Sequence, residues 1–292
     1  MVQFRLKTWV TWMAMVVVGA TAVAASSQEH AAAPHGPAPV LVTVREIVKP
    51  GEEAAHAKLE AEYGAVLDAG KGSEYYLGMG AITGKQEVVF VSGYSSLEEM
   101  SDVHDYDETM MGAKLDGLEQ EHNATLAGME TTVWKLRPGL SNPDALSLGK
   151  MRYMELTQIH VKLGHSAEFT DVMKQVEQGW MKVDPDFHYV VYQQAYGDAT
   201  DDSYLVLIAT KSLGDFDKHH AKVGAYQKSV GAAAHKQMQE FESADYDSTV
   251  SNLFVFTPAM SRMPESWTKD DLSFWKPKAV VAAPAKKAAT AK

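Results

Sequence analysis

Residues 44–60 read VREIVKPGEEAAHAKLE, and residues 157–173 read TQIHVKLGHSAEFTDVM. The two stretches share a pattern: a β-branched run, a K-x-G break, then a helix-forming segment. The match recurs downstream, where residues 94–105 (YSSLEEMSDVHD) return as residues 210–221 (TKSLGDFDKHHA). The first pair is offset by 113 residues and the second by 116. One indel, in the hairpin that carries the longer GDATDD turn in copy two, accounts for the difference. A period of this length exceeds a solenoid unit and matches a whole small domain.

Working outward, each copy yields the same elements. In copy one, residues 40–48 form a strand and Pro50-Gly51 breaks it. Residues 52–67 follow as a helix with Ala55, Leu59, Tyr63 and Val66 on one stripe. Residues 74–82 and 88–94 make a hairpin with Gly84 in its turn. Ser96 and Glu99 form a capping box for a second helix, and residues 131–136 are a fourth strand. Copy two repeats this with strands over 151–162, 187–196, 204–210 and 251–256, and a helix over 164–183. Ser212 and Asp215 open its second helix. The order β-α-β-β-α-β is the ferredoxin-like arrangement, with helices on one face of each sheet. The bare face must be covered, because exposed apolar surface costs about 25 cal/mol per Å². The expected fold is therefore α+β: two tandem ferredoxin-like repeats, 40–141 and 150–261, packed sheet to sheet as an intramolecular α+β barrel.

The ends belong outside that fold. Residues 1–24 open with Arg5 and Lys7, continue through an uncharged apolar stretch and end at Ala22-Val23-Ala24. They read as a secretory signal peptide, which makes the chain exported, periplasmic or secreted, with no membrane span after cleavage. Residues 25–39 read as a flexible leader, and 262–292 as an extension ending in an Ala/Lys/Pro tail. There is no cysteine, so disulfides, thiolate metal sites and covalent haem attachment are excluded. A net charge of −11 disfavours nucleic acid and anionic lipid as partners.

The strand–K-x-G–helix openings (Lys49-Pro50-Gly51, Lys162-Leu163-Gly164) resemble a known group, as do the central hairpin and the Ser-Leu helix start followed by a histidine seven residues past the Leu. That group is the dimeric α+β barrel superfamily, in its antibiotic-biosynthesis-monooxygenase-like and NIPSNAP-like branches. The resemblance covers both repeats. It implies a pocket for a small, apolar or aromatic organic molecule and, if turnover occurs, cofactor-independent oxidation. Haem binding and a non-catalytic envelope role stay open beside it.

His104 and His220 hold the same repeat position and are the candidate catalytic bases, or axial ligands if haem is bound. Tyr76 and Tyr189 coincide on the hairpin strand, where Gly78 and Gly80 leave room beside the Tyr76 ring. Tyr75, His188 and Tyr192 are further candidate contacts on that strand. Arg45 and His160 are polar residues on strands that otherwise build core. No metal-ligand motif is read, so no metal and no obligatory cofactor are expected. The expected assembly is a monomer containing its own pseudo-dimer, open to further dimerisation.

Overall fold

The structure is a computed structural model that describes residues 36–142, 148–198 and 201–276. The expected signal peptide, most of the leader and the tail beyond residue 276 lie outside the described residues. Among those described, no helix is long and apolar enough to cross a membrane.

The first half runs β1 (Val40–Val48), α1 (Glu53–Gly70), β2 (Leu77–Ala81), β3 (Glu87–Tyr94), α2 (Leu97–Thr125) and β4 (Leu126–Leu136). The second runs β5 (Tyr153–Val161), α3 (Ser166–Val183), β6 (Val190–Tyr196), β7 (Asp202–Thr210), α4 (Leu213–His220), α5 (Val223–Asp245) and β8 (Tyr246–Phe256). All eight strands form one closed antiparallel barrel in the order β1-β3-β2-β8-β5-β7-β6-β4. Within each half the strands lie in the order fourth, first, third, second. The β2–β8 and β4–β6 ladders close the ring and leave no sheet edge along it.

Strand alternation sorts β1 into two faces. Leu41 and Thr43 face the barrel, where the Trp134 indole N–H donates to Thr43 Oγ1 at 2.9 Å. Val44, Glu46 and Val48 face the helices, and Val48 packs with Leu67 and Met111. Met79, Val89, Tyr192, Leu205 and Phe254 fill the barrel interior. Arg45 and Gln158, 113 positions apart, meet at 3.4 Å across the barrel.

Helix starts follow the expected capping chemistry. Ser96 accepts from the Glu99 N–H at 3.0 Å, and Ser212 and Asp215 form a reciprocal box. One feature differs from expectation. The second helix of the second half is split into α4 and α5, and α5 is itself kinked at Gly231, whose φ of 78° suits glycine. The extension after residue 261 is folded as far as Lys276. Arg262 bridges to Tyr76, and Trp275 joins the barrel cluster while its indole N–H donates to Gly149 O at 2.7 Å.

A candidate metal centre between helices and barrel

The residues singled out in the sequence do not converge on one site. His104 and His220 are both exposed, on α2 and at the end of α4. Beneath them the helices present Val103 and Phe216, both buried in packed surroundings. Neither histidine thus offers an axial position in an enclosed haem pocket. Its neighbour His219 is the inward one, stacked on Phe187 with centroids 3.5 Å apart and close to Trp180 at 4.0 Å. Burial holds His219 neutral, with a pKa of about 4, despite nearby Asp184.

Tyr192 lies inside the barrel and donates to Ala38 O at 3.1 Å. Arg45 sits on the same inner face, paired with Glu87 at 2.7 Å. Tyr75 is exposed beneath the Arg262 guanidinium, 4.9 Å from the ring centroid. Tyr189 is buried in the second half with its hydroxyl unpartnered, and the neighbouring His188 has a buried, unpartnered Nδ1. His160 Nδ1 meets both Asp201 Oδ2 and Ser203 Oγ at 2.9 Å. Both partners use one nitrogen, so this is not a relay from hydroxyl through imidazole to carboxylate.

Tyr76 packs against Tyr63 and Phe90 in the layer between the sheet and the first pair of helices. The space read beside it at Gly78 is not a cavity. A Cβ there would stand 2.2 Å from Met260 O, so glycine admits the backbone of the turn at Pro258–Met260. The Ser261 hydroxyl fills the remaining valence, accepting from the Gly78 N–H at 2.9 Å.

The same layer contains a cluster that no local motif announced. Glu46 from β1, His56 and Glu60 from α1, and His122 from the end of α2 each bring one donor atom, all within 4.8 Å of one another. Glu46, His56 and Glu60 are 5%, 1% and 9% exposed. His122 is the solvent-side member, its side chain 15% exposed. Local structure sets the convergence. The strand period turns Glu46 to the helix side, while the i, i+4 spacing stacks His56 and Glu60 on one face of α1. The α2–β4 junction then delivers His122, held beside β1 by the Lys49 N–H donating to Thr125 O at 2.9 Å.

Glu46 Oε2 is the shared acceptor. It receives His56 Nε2–H at 2.8 Å and His122 Nε2–H at 3.2 Å. His122 Nε2 also meets Glu60 Oε1 at 2.8 Å. Burial opposes charge on His122, but hydrogen bonds to Glu46 and Glu60 outweigh it and raise its pKa to about 10. Burial likewise works against the Glu46 carboxylate, yet the two imidazoles hold its pKa below the usual range. A proton thus binds the two carboxylates together where a cation could replace it. Two imidazole nitrogens and two carboxylate oxygens are an N₂O₂ donor set suited to first-row divalent ions. At metal–ligand distances of about 2.0–2.2 Å, tetrahedral donors stand about 3.4 Å apart. The hydrogen-bonded contacts of 2.8–3.2 Å would open by about 0.2–0.6 Å, and any donor pair standing wider, within the 4.8 Å span, would close.

One turn along α1 from Glu60, Gly64 makes room for the Tyr76 phenol: a Cβ there would lie 3.2 Å from its oxygen. Burial, with the Glu60 and Glu74 carboxylates, pushes the Tyr76 hydroxyl far above the ordinary phenol range. Glu74 is itself raised by burial and by Asp107, although Tyr94 donates to it at 3.3 Å.

A signal for part of the cluster does stand in the sequence. His56 and Glu60 are four apart on a predicted helix, and Glu46 interrupts the apolar helix-side alternation of β1. His122 carries no such mark, because only the fold brings it to the other three.

No family model matches the chain, and no curated protein does. Solved structures do resemble it. An anthrone oxidase-like protein is 11% identical with a TM-score of 0.50, covering 75% of this chain and 91% of its own. A candidate monooxygenase from Lactobacillus acidophilus NCFM is 11% identical at a TM-score of 0.44, covering 75% and 94%. A chlorite dismutase variant from Candidatus Nitrospira defluvii is 12% identical at 0.46, covering 76% and 93%. At these identities the likeness is one of fold alone: an α+β barrel like that of the anthrone oxidase-like structure.

Proposed function

We propose that this chain is a metal-binding protein, built as a tandem of two ferredoxin-like units, whose site lies in the first unit. The carrying observation is the buried convergence of Glu46, His56, Glu60 and His122 from three separate elements. Two carboxylates neutralise a divalent ion, and two imidazoles favour zinc, iron, cobalt or nickel over calcium and magnesium. With residues 1–24 read as an export signal, the ion would be acquired outside the cytoplasm. The test is elemental analysis of the purified protein beside Glu46→Gln and His56→Ala variants. The expected result is about one transition-metal ion per chain, lost in both variants. Retention by the variants, or no ion bound after reconstitution, would overturn it.

A second reading follows the fold likeness: a small apolar or aromatic organic molecule, oxidised without a cofactor. The feature favouring it is the buried Tyr76 phenol, near the Glu60 and Glu74 carboxylates and packed against the half-buried Tyr63. Native mass spectrometry separates the readings, because a bound mass of a few hundred daltons supports the second and a metal adduct alone supports the first.

A further inference from the structure

The second half shows what the first would look like without ligands. The strands β1 and β5, and the helices α1 and α3, run in step at an offset of 113 residues. The positions of Glu46, His56 and Glu60 therefore correspond to Ile159, Phe169 and Met173. All three are buried in one apolar cluster with Phe241. Phe241 comes from α5 one position short of the His122 counterpart, since β4 and β8 are offset by 120. Phe169 is fully buried and stacks on Tyr204 with centroids 3.9 Å apart. The surrounding backbone is held alike in both places. The Lys49 N–H donates to Thr125 O at 2.9 Å, and the Lys162 N–H donates to Asp245 O at 2.9 Å.

We infer that the ion is a closed structural lock: it takes four protein donors in zinc-type tetrahedral geometry, and the packing of α1 and α2 on the sheet depends on it. This rests on the metal-binding reading above and adds the role of the ion. Three arguments carry it. First, three of the four groups, Glu46, His56 and Glu60, stand where the other half places core, so they contribute cohesion only through what they share with His122. Second, the ligands tie α1 and α2, the helices that must close over the sheet, to its strand β1. Third, three of the four ligands are at most 9% exposed, and four protein donors complete a tetrahedral shell. A catalytic ion would instead keep a position for water or substrate.

The test uses the mature full chain, stripped with a chelator and titrated with Co²⁺ and Zn²⁺. The Co²⁺ form is expected to show the intense visible bands of a tetrahedral site, unchanged by added azide. Amide exchange is then followed with and without Zn²⁺ at 100 times its dissociation constant. If opening of the layer releases the ion, exchange in the cores of α1 and α2 slows by about 100-fold, while α3 and α5 are unaffected. A spectrum that shifts with azide, or equal protection with and without Zn²⁺, would overturn the lock and leave metal binding intact. Failure to bind either ion would overturn both.

Discussion

At the end of β1 the first half buries two carboxylates and one imidazole, with a second imidazole at the solvent side; at the end of β5 the second half buries isoleucine, phenylalanine and methionine. The strand, the following helix and the anchoring lysine are the same in both. The backbone is thus indifferent to which solution fills the layer, and the chemistry resides in a few side chains. An apolar cluster is stable on its own, since buried methylenes need no partner. A polar one is stable only while every member is satisfied, and removing one leaves the others as buried charges. The two halves should therefore fail differently.

The largest effects test that directly. Glu46→Ala removes the acceptor common to both histidines and is expected to cost about 3–5 kcal/mol in denaturant unfolding. Phe169→Ala in the second half should cost a similar 3–5 kcal/mol through a cavity, with no change in metal content. Equal loss of metal in both variants would break the comparison. Next comes the exchange of one solution for the other. Glu46→Ile/His56→Phe/Glu60→Met writes the second half's residues into the first, and His122→Phe added to it supplies the ring that Phe241 brings there from one position away. It should bind no ion and give a thermal midpoint indifferent to chelator, where the wild type loses several degrees.

A smaller effect separates the two halves by pH. His219 is held neutral with a pKa of about 4, below the free imidazole value of about 6.5. Unfolding then takes up a proton, so this contribution to stability is full above about pH 6.5 and is lost as pH falls toward 4. The thermal midpoint should drop across that window, and the drop should shrink in His219→Phe. An unchanged drop would show that the stack on Phe187 and Trp180 does not govern it. The smallest effect is expected from His104→Ala/His220→Ala. Both residues are exposed, so stability should move by less than about 0.5 kcal/mol and metal content not at all. Loss of a bound organic molecule in that double variant would instead favour the oxidation reading.

Much of the architecture was legible in the chain. Strand alternation at Val40–Val48, the K-x-G breaks and the serine caps are local devices whose physics does not depend on the rest of the molecule. Closure of the barrel followed from the need to cover two apolar sheet faces. The site was less legible. The alignment of His104 with His220 does not say which helix face points inward, and both are exposed. Gly78 read as open space because a missing side chain leaves no record of what moves in, here the backbone at Met260. The quoted stretches held most of the answer, since Glu46, His56 and Glu60 stand opposite Ile159, Phe169 and Met173. What they lacked was His122, which reaches the site only through a helix of 29 residues.

The most direct test of the central claim is anomalous diffraction at the zinc edge from crystals of the Zn²⁺-loaded protein. The account predicts one strong peak per chain, about 2.0–2.2 Å from the donor atoms of Glu46, His56, Glu60 and His122. A map with no peak there, with His122 still bridging Glu46 and Glu60, would contradict it.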